Sequence, residues 1–185
     1  MAVTPSRMIP LGTKAPVFSL RDVVSGKVFN LSQQKSEKAT VIMFICNHCP
    51  FVKHIQNEII SIANQYIAKG IRFIAINAND VKNYPEDSPQ NMQKLAEELK
   101  FPFPYLYDET QEIAKAYGAE CTPDFFVFDR TLACVYRGQF DGARPSNKVP
   151  VTGEDLKSAL NCILTDEPVS QDQKPSIGCN IKWKN

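Results

Sequence analysis

Two thiols separated by two residues, in the run Cys46-Asn47-His48-Cys49, with Pro50 directly behind the second, are the residues of this chain whose types and spacing could do chemistry. A thiol is a nucleophile only as its thiolate, so the surroundings of the pair decide whether it can exchange with a disulfide. Residues 40–45 are a short apolar stretch rich in β-branched side chains, and from residue 50 to residue 66 apolar positions recur with helical period. The cysteines are therefore expected on a strand-to-helix turn. Proline is tolerated at the first position of a helix, because its missing N–H would have had no partner there. Cys49 is then the N-cap, its sulfur facing free backbone N–H groups and the positive end of the helix dipole, both of which favour the thiolate.

Nearby residues admit two readings each. His48 could acidify Cys49 as an imidazolium or carry a proton to a leaving thiol; the alternative is a half-exposed loop residue. Lys53 could support the thiolate, and a solvated lysine is the simpler reading. His54, one turn into the helix, reads as a surface or groove residue. Cys46, His48 and Cys49, with His54 or Cys121, are also soft ligands of the kind zinc accepts. A structural zinc site pairs two such clusters, and no second Cys-x-x-Cys or His-x-x-x-His exists. We expect no metal and no cofactor.

The elements that must hold these residues follow from pattern. Residues 17–20 and 27–31 read as an N-terminal hairpin turning at Ser25-Gly26. A strand at 40–45, a helix at 50–69 stopped by Gly70 and a strand at 71–77 make a βαβ unit, whose right-handed crossover sets the strands parallel. Residues 78–89 read as a loop and 90–99 as a helix. Residues 101–107 carry two prolines and are expected to supply a piece of edge strand at most. A helix at 110–117 capped by Thr110, a hairpin of 125–128 with 132–137, and a helix at 153–164 capped by Thr152 complete the pass. The end of the chain is polar, yet Ile177, Cys179, Ile181 and Trp183 alternate, which predicts a docked segment.

Length and composition bound the rest. With 185 residues, 43% of them hydrophobic, the chain suits one domain, expected at 1–164, followed by a tail at 165–185. A net charge of +1 with scattered Lys and Arg carries no nucleic-acid footprint. No stretch approaches the roughly 18 apolar residues of a membrane span, and residues 1–10 lack the apolar centre of a secretory signal. We expect no nucleic-acid or membrane partner, and a cytoplasmic location, where the six cysteines would be fillers or catalytic thiols rather than static bridges. Cys134 and Cys162 read as core or near-core residues.

The order strand, Cys-x-x-Cys turn, helix, strand, helix, hairpin, helix resembles the thioredoxin fold: α/β, a central mixed β-sheet flanked by helices, here with an N-terminal β-hairpin extension. That fold places a cis-proline loop facing its redox cysteines, and Cys121-Thr122-Pro123 stands at the corresponding place. A cis form costs only about 0.5–1 kcal/mol before proline. Residues 11–22, LGTKAPVFSLRD, and 122–129, TPDFFVFD, resemble the opening and the proline loop of the peroxiredoxin and alkyl hydroperoxide reductase/thiol-specific antioxidant (AhpC/TSA) superfamily. The likeness spans about residues 8–164. The CNHCPFV run and the ending PSIGCNIKWK are similar to a thioredoxin-family subgroup with no settled substrate.

The resemblance implies a thiol–disulfide oxidoreductase, with Cys49 and Pro50 matching the nucleophile and following proline of membrane-anchored reductases of this fold; Val52 stands where their resolving cysteine would be. Cys46 would resolve the mixed disulfide, or Cys179 if the loop between Cys46 and Cys49 is too extended to close. Cys121 reads as a small side chain under the proline loop. The alternatives are a thiol-dependent peroxidase and a metal-binding or non-catalytic member of the fold. Cys46 replaces the threonine with which standard peroxiredoxins orient peroxide, which counts against the peroxidase. Implied partners are a protein or small-molecule thiol, disulfide or hydroperoxide and a thioredoxin- or glutathione-type reductant. Site residues on this reading are Cys49, Cys46, His48, Pro123 and Cys179.

Overall fold

The computed structural model describes residues 3–184. In chain order the elements are β1 (Val3–Pro5), β2 (Ser19–Asp22), β3 (Val28–Asn30), α1 (Leu31–Gln34), β4 (Ala39–Phe44), α2 (Pro50–Ile67), β5 (Arg72–Asn77), a 3-10 turn (Pro85–Asp87), α3 (Pro89–Glu98), β6 (Tyr105–Tyr107), α4 (Glu112–Ala116), β7 (Cys121–Thr122), β8 (Asp124–Asp129), β9 (Cys134–Gly138), α5 (Glu154–Leu164) and β10 (Ile177–Asn180). A seven-stranded mixed sheet runs in the order β3-β2-β6-β5-β4-β8-β9. Within it β4 and β5 are parallel, as are β5 and β6, while β8 joins β4 antiparallel.

Every residue of β4 is buried, as a strand covered on both faces must be. Its alternation divides the core. Val41 and Met43 face a cluster with Ile55, Ile59 and Ile62 of α2 and Leu156 and Leu160 of α5, while Ile42 and Phe44 face Phe18, Leu31, Tyr117, Phe126 and Phe128. Helix α2 is pinned across the first cluster by Tyr66, whose hydroxyl donates to Asn161 Oδ1 at 2.7 Å. It ends at Ile67, two residues before the expected Lys69. Gly70, at φ +89°, then lets the chain turn so that the Ile71 N–H returns to the Tyr66 carbonyl.

Three expectations fail for physical reasons. β6 is no edge: it lies between β2 and β5, because Pro102 precedes the pairing and Pro104 enters it only through its carbonyl, which accepts from the Ala75 N–H at 3.0 Å, so no missing N–H interrupts the ladder. Thr110 and Thr152 do not cap their helices. The caps are Gln111 and Gly153, both left-handed; the Thr110 hydroxyl reaches only the Glu112 N–H, at 3.4 Å, while Asp108 Oδ2 accepts from the Ala114 N–H in the first turn of α4, and Asp141 Oδ2 from Thr152 and Gly153 just ahead of α5.

The sequence pattern also missed a second sheet. β10 lies between β1 and β7, antiparallel to both, with Cys179 opposite Val3 on one side and Thr122 on the other. Side chains and backbone beyond the strand hold the tail down. Ser176 donates its hydroxyl to the Gly138 carbonyl at 2.6 Å, and the Lys182 carbonyl accepts from the Asp80 N–H and Gln111 Nε2, each at 2.8 Å. Among the described residues, no helix is long and apolar enough to cross a membrane.

Candidate active site

The structure places Cys49 at the N-cap of α2, with φ −66° and ψ 122°, and Pro50 at the first helical position. The peptide between Thr122 and Pro123 is cis. This loop faces the thiols: the Thr122 carbonyl accepts from Cys49 Sγ at 3.2 Å, and its hydroxyl lies 3.4 Å from Cys46 Sγ. Thr122 also pairs with Cys179. Cys46, Cys49 and Cys179 thus surround one residue, all three are free thiols, and none is more than 3% exposed. Cys121 points away, its thiol turned to the Pro123 carbonyl at 3.7 Å, and burial pushes its pKa far up. Lys53 and His54 are exposed, Cys134 is buried and Cys162 half-buried.

The thiols divide unequally between acid and base. Cys49 is drawn down to about 5 from the ordinary 9.0, chiefly by the Cys46 thiol acting as donor, then, against the cost of burial, by the Cys179 thiol and the Val52 and Cys179 amides. Helix α2 therefore supplies one of several donors, and its Val52 N–H closes no capping hydrogen bond. The Thr122 carbonyl favours the opposite state, because only a protonated Cys49 can donate to it. A thiol is a weak donor, and the net shift of Cys49 is downward despite that bond. Cys46 and Cys179 carry the reciprocal effect. Cys46 is raised well above 9.0 by donating to Cys49 and by burial; Cys179 is pushed up to about 12 by burial and then by Cys49.

His48 has a partner that the sequence reading missed. Its Nδ1 lies 2.6 Å from Oδ2 of Asp87, a fully buried carboxylate in the 3-10 turn. Asp87 also accepts from the Asn47 N–H at 2.7 Å and from Asn79 Nδ2 at 2.8 Å. Burial alone would raise the Asp87 pKa, but the hydrogen bonds from His48 and Asn79 outweigh it and the net shift is downward. The same bond raises His48 above 6.5 against desolvation. The imidazole stacks on Tyr84 with centroids 5.4 Å apart, and Lys182 Nζ sits over the other partner of that stack, 5.6 Å from the Tyr84 centroid. His48 Nε2 is buried with no partner among the described residues. The Asp87 carboxylate thus favours the imidazolium form of His48 and leaves Nε2 without a partner of its own.

Cys46, His48 and Asp87 also offer three atoms within 4.8 Å of one another, a spacing a metal ion could use. The donor set is one short of the four a closed zinc site takes, and Asp87 Oδ2 is already shared by two nitrogens. Of the three, His48 and Asp87 are hydrogen-bonded to each other, while Cys46 Sγ meets the Thr122 hydroxyl instead.

The model of the AhpC/TSA family matches residues 11–136. The chain belongs to the AhpC/TSA family. A solved structure of an uncharacterized conserved protein from Geobacillus kaustophilus is similar to this AhpC/TSA protein along its whole length, with 62% identity, a TM-score of 0.98 and coverage of 100% of this chain and 97% of the other. Among curated proteins, thiol-disulfide oxidoreductase ResA of Geobacillus thermodenitrificans (strain NG80-2) is 26% identical over 130 residues, 69% of this chain and 68% of its own. The thioredoxin domain of a thiol-disulfide oxidoreductase from Bacteroides vulgatus shares the fold at 15% identity and a TM-score of 0.61, covering 81% of this chain and 97% of that domain. The fold is thioredoxin-like.

Proposed function

We propose that this AhpC/TSA protein is a thiol–disulfide oxidoreductase in which Cys49 attacks and Cys46 resolves. The observation that carries the reading is geometric: Cys49 caps α2 in front of Pro50, and its sulfur and that of Cys46 both meet Thr122, at 3.2 and 3.4 Å; the downward pull on Cys49, to about 5, and the upward one on Cys46 agree with it. The Cys49 thiolate attacks a substrate disulfide, forming a mixed disulfide and releasing one substrate thiolate. Once Cys49 is bonded, its negative charge is gone and the main cause of the raised Cys46 pKa goes with it. Cys46 then loses its proton and attacks the Cys49 sulfur, closing a Cys46–Cys49 bond and expelling the second substrate sulfur as a thiolate. His48, its pKa raised by Asp87, is the group placed to supply a proton to a departing sulfur through Nε2. The loop at Pro123 walls the site opposite α2.

The activity named for the curated relative supports this reading. A thioredoxin- or glutathione-type thiol would return the electrons, and a cytoplasmic setting would keep the six cysteines reduced. A second reading, thiol-dependent peroxidase, is favoured by one observation: Cys49 is 0% exposed, and a small hydroperoxide reaches such a sulfur more readily than a folded protein does. Turnover of a peptide disulfide and of hydrogen peroxide, each with dithiothreitol as electron source, separates the two. Disulfide turnover that disappears in Cys49→Ser, with negligible peroxide consumption, is expected; wild-type disulfide turnover in Cys49→Ser would overturn the proposal.

A further inference from the structure

We propose that Cys179 is a third redox thiol and that β10 serves as a built-in thiol substrate of the Cys46–Cys49 pair. This rests on the reading of Cys49 and Cys46 as the redox couple. β10 packs against α2 and pairs along β7, immediately before Pro123, with Cys179 opposite the residue whose carbonyl receives Cys49. The approach is close. A Cβ on Gly178 would lie 2.0 Å from the Thr122 carbonyl oxygen and 2.6 Å from its carbon, so only glycine in front of the cysteine lets the strand seat this deeply. Cys179, Cys49 and Cys46 share one buried cluster.

The exchange balances without a further oxidant. In the protein carrying the Cys46–Cys49 bond, the Cys179 thiol releases its proton and its sulfur attacks Cys49. The Cys49–Cys179 bond forms as the Cys46–Cys49 bond breaks, and Cys46 leaves with the bonding electron pair and takes up a proton. Two sulfurs are oxidised before the step and two after it. The step needs the oxidised protein, and bonding of Cys49 eases it: burial still holds the proton on Cys179, but the further contribution of the Cys49 thiolate is gone. Lys182, whose charge opposes the raised Cys179 pKa, sits on the same tail three residues on.

Disulfide mapping of the full chain tests this. The protein is treated with equimolar diamide, which takes two electrons and two protons from a pair of thiols, then quenched in acid, alkylated and mapped by mass spectrometry without reduction. Wild type is expected to yield both Cys46–Cys49 and Cys49–Cys179 peptides, Cys46→Ser the Cys49–Cys179 bridge alone, and Cys179→Ser the Cys46–Cys49 bridge alone. Gly178→Ala is expected to lose the bridge to Cys179 and keep the other. If Cys46→Ser leaves Cys179 free to alkylate, or the wild-type time course never shows Cys49–Cys179, the inference is overturned. A Cys46–Cys49 bridge in Cys179→Ser would then leave the parent reading standing, whereas a wild-type time course in which Cys49 forms no bridge at all would remove the parent reading itself. The wild-type time course decides even if a variant fails to fold.

Discussion

Thr122 stands opposite Cys179 in the antiparallel pairing of β10 with β7, while its carbonyl receives Cys49 at 3.2 Å and its hydroxyl meets Cys46 at 3.4 Å. One residue therefore spaces three sulfurs, through its backbone on two sides and its side chain on the third. The hydroxyl acts on Cys46 alone among them, pulling its pKa back against Cys49 and burial.

Thr122→Val removes that hydroxyl and keeps the carbonyl and the strand pairing. A hydrogen bond worth about 1 kcal/mol corresponds to about a fivefold change in rate, so release of substrate from a Cys49 mixed disulfide is expected to slow by about that factor. Stopped-flow measurement of the release step checks this, with the initial attack by Cys49 unchanged.

Asp87→Asn tests the histidine. His48, with its folded pKa raised above 6.5, contributes stability that is full below 6.5 and is lost as the pH rises through the folded value. Asp87, lowered below 3.8, contributes stability present above 3.8 and lost as the pH falls through its folded value. The pair is therefore worth most between 3.8 and 6.5. Urea titrations across pH are expected to show the variant less stable by about 2–3 kcal/mol in that window, from hydrogen bonds to a charged group, with the gap narrowing above it. In turnover, the pH above which activity falls as His48 loses its proton is expected to be lower in the variant.

Asp124 offers a prediction of opposite sign. It is fully buried in β8, its Oδ2 has no hydrogen-bond partner among the described residues, and burial raises its pKa well above 3.8. The folded state holds a proton that the unfolded chain releases, so stability is lost as the pH rises past 3.8. Asp124→Asn preserves the acceptor for the Phe125 N–H, which Asp124 Oδ1 meets at 3.1 Å, and removes the titration. Denaturation measured across pH is expected to show the variant gaining stability over wild type as the pH rises from 3.8 toward neutrality, with the gain shrinking toward acid pH.

What could be read beforehand follows the strength of local pattern. β4, α2 and β5 were legible because an unbroken apolar strand, a 3.6-residue period and a stopping glycine agree with one another. So was the thioredoxin-like order of elements. β1 was invisible: three residues, Val3–Pro5, two of them exposed, form a strand only because β10 lies beside them. The alternation from Ile177 to Trp183 announced docking, but no local signal in the chain names β7 as the edge it docks on. At the site, Cys49 and Pro50 carry a positional signature, whereas Asp87 lies 39 positions from His48 in a segment of turn residues. Its one available hint was an acidic residue just before Ser88-Pro89, where α3 begins. The thiolate itself was attributed to helix amides; the larger share comes from neighbouring thiols, a contribution visible only in three dimensions.

The most direct measurement is the ultraviolet absorbance of the Cys49 thiolate as a function of pH, taken as the difference between wild type and Cys49→Ser. The expected midpoint is about 5, moving upward in Cys46→Ala, where the strongest donor to the thiolate is gone. A wild-type midpoint near the ordinary 9.0, unaffected by loss of Cys46, would contradict the assignment of Cys49 as the attacking thiolate.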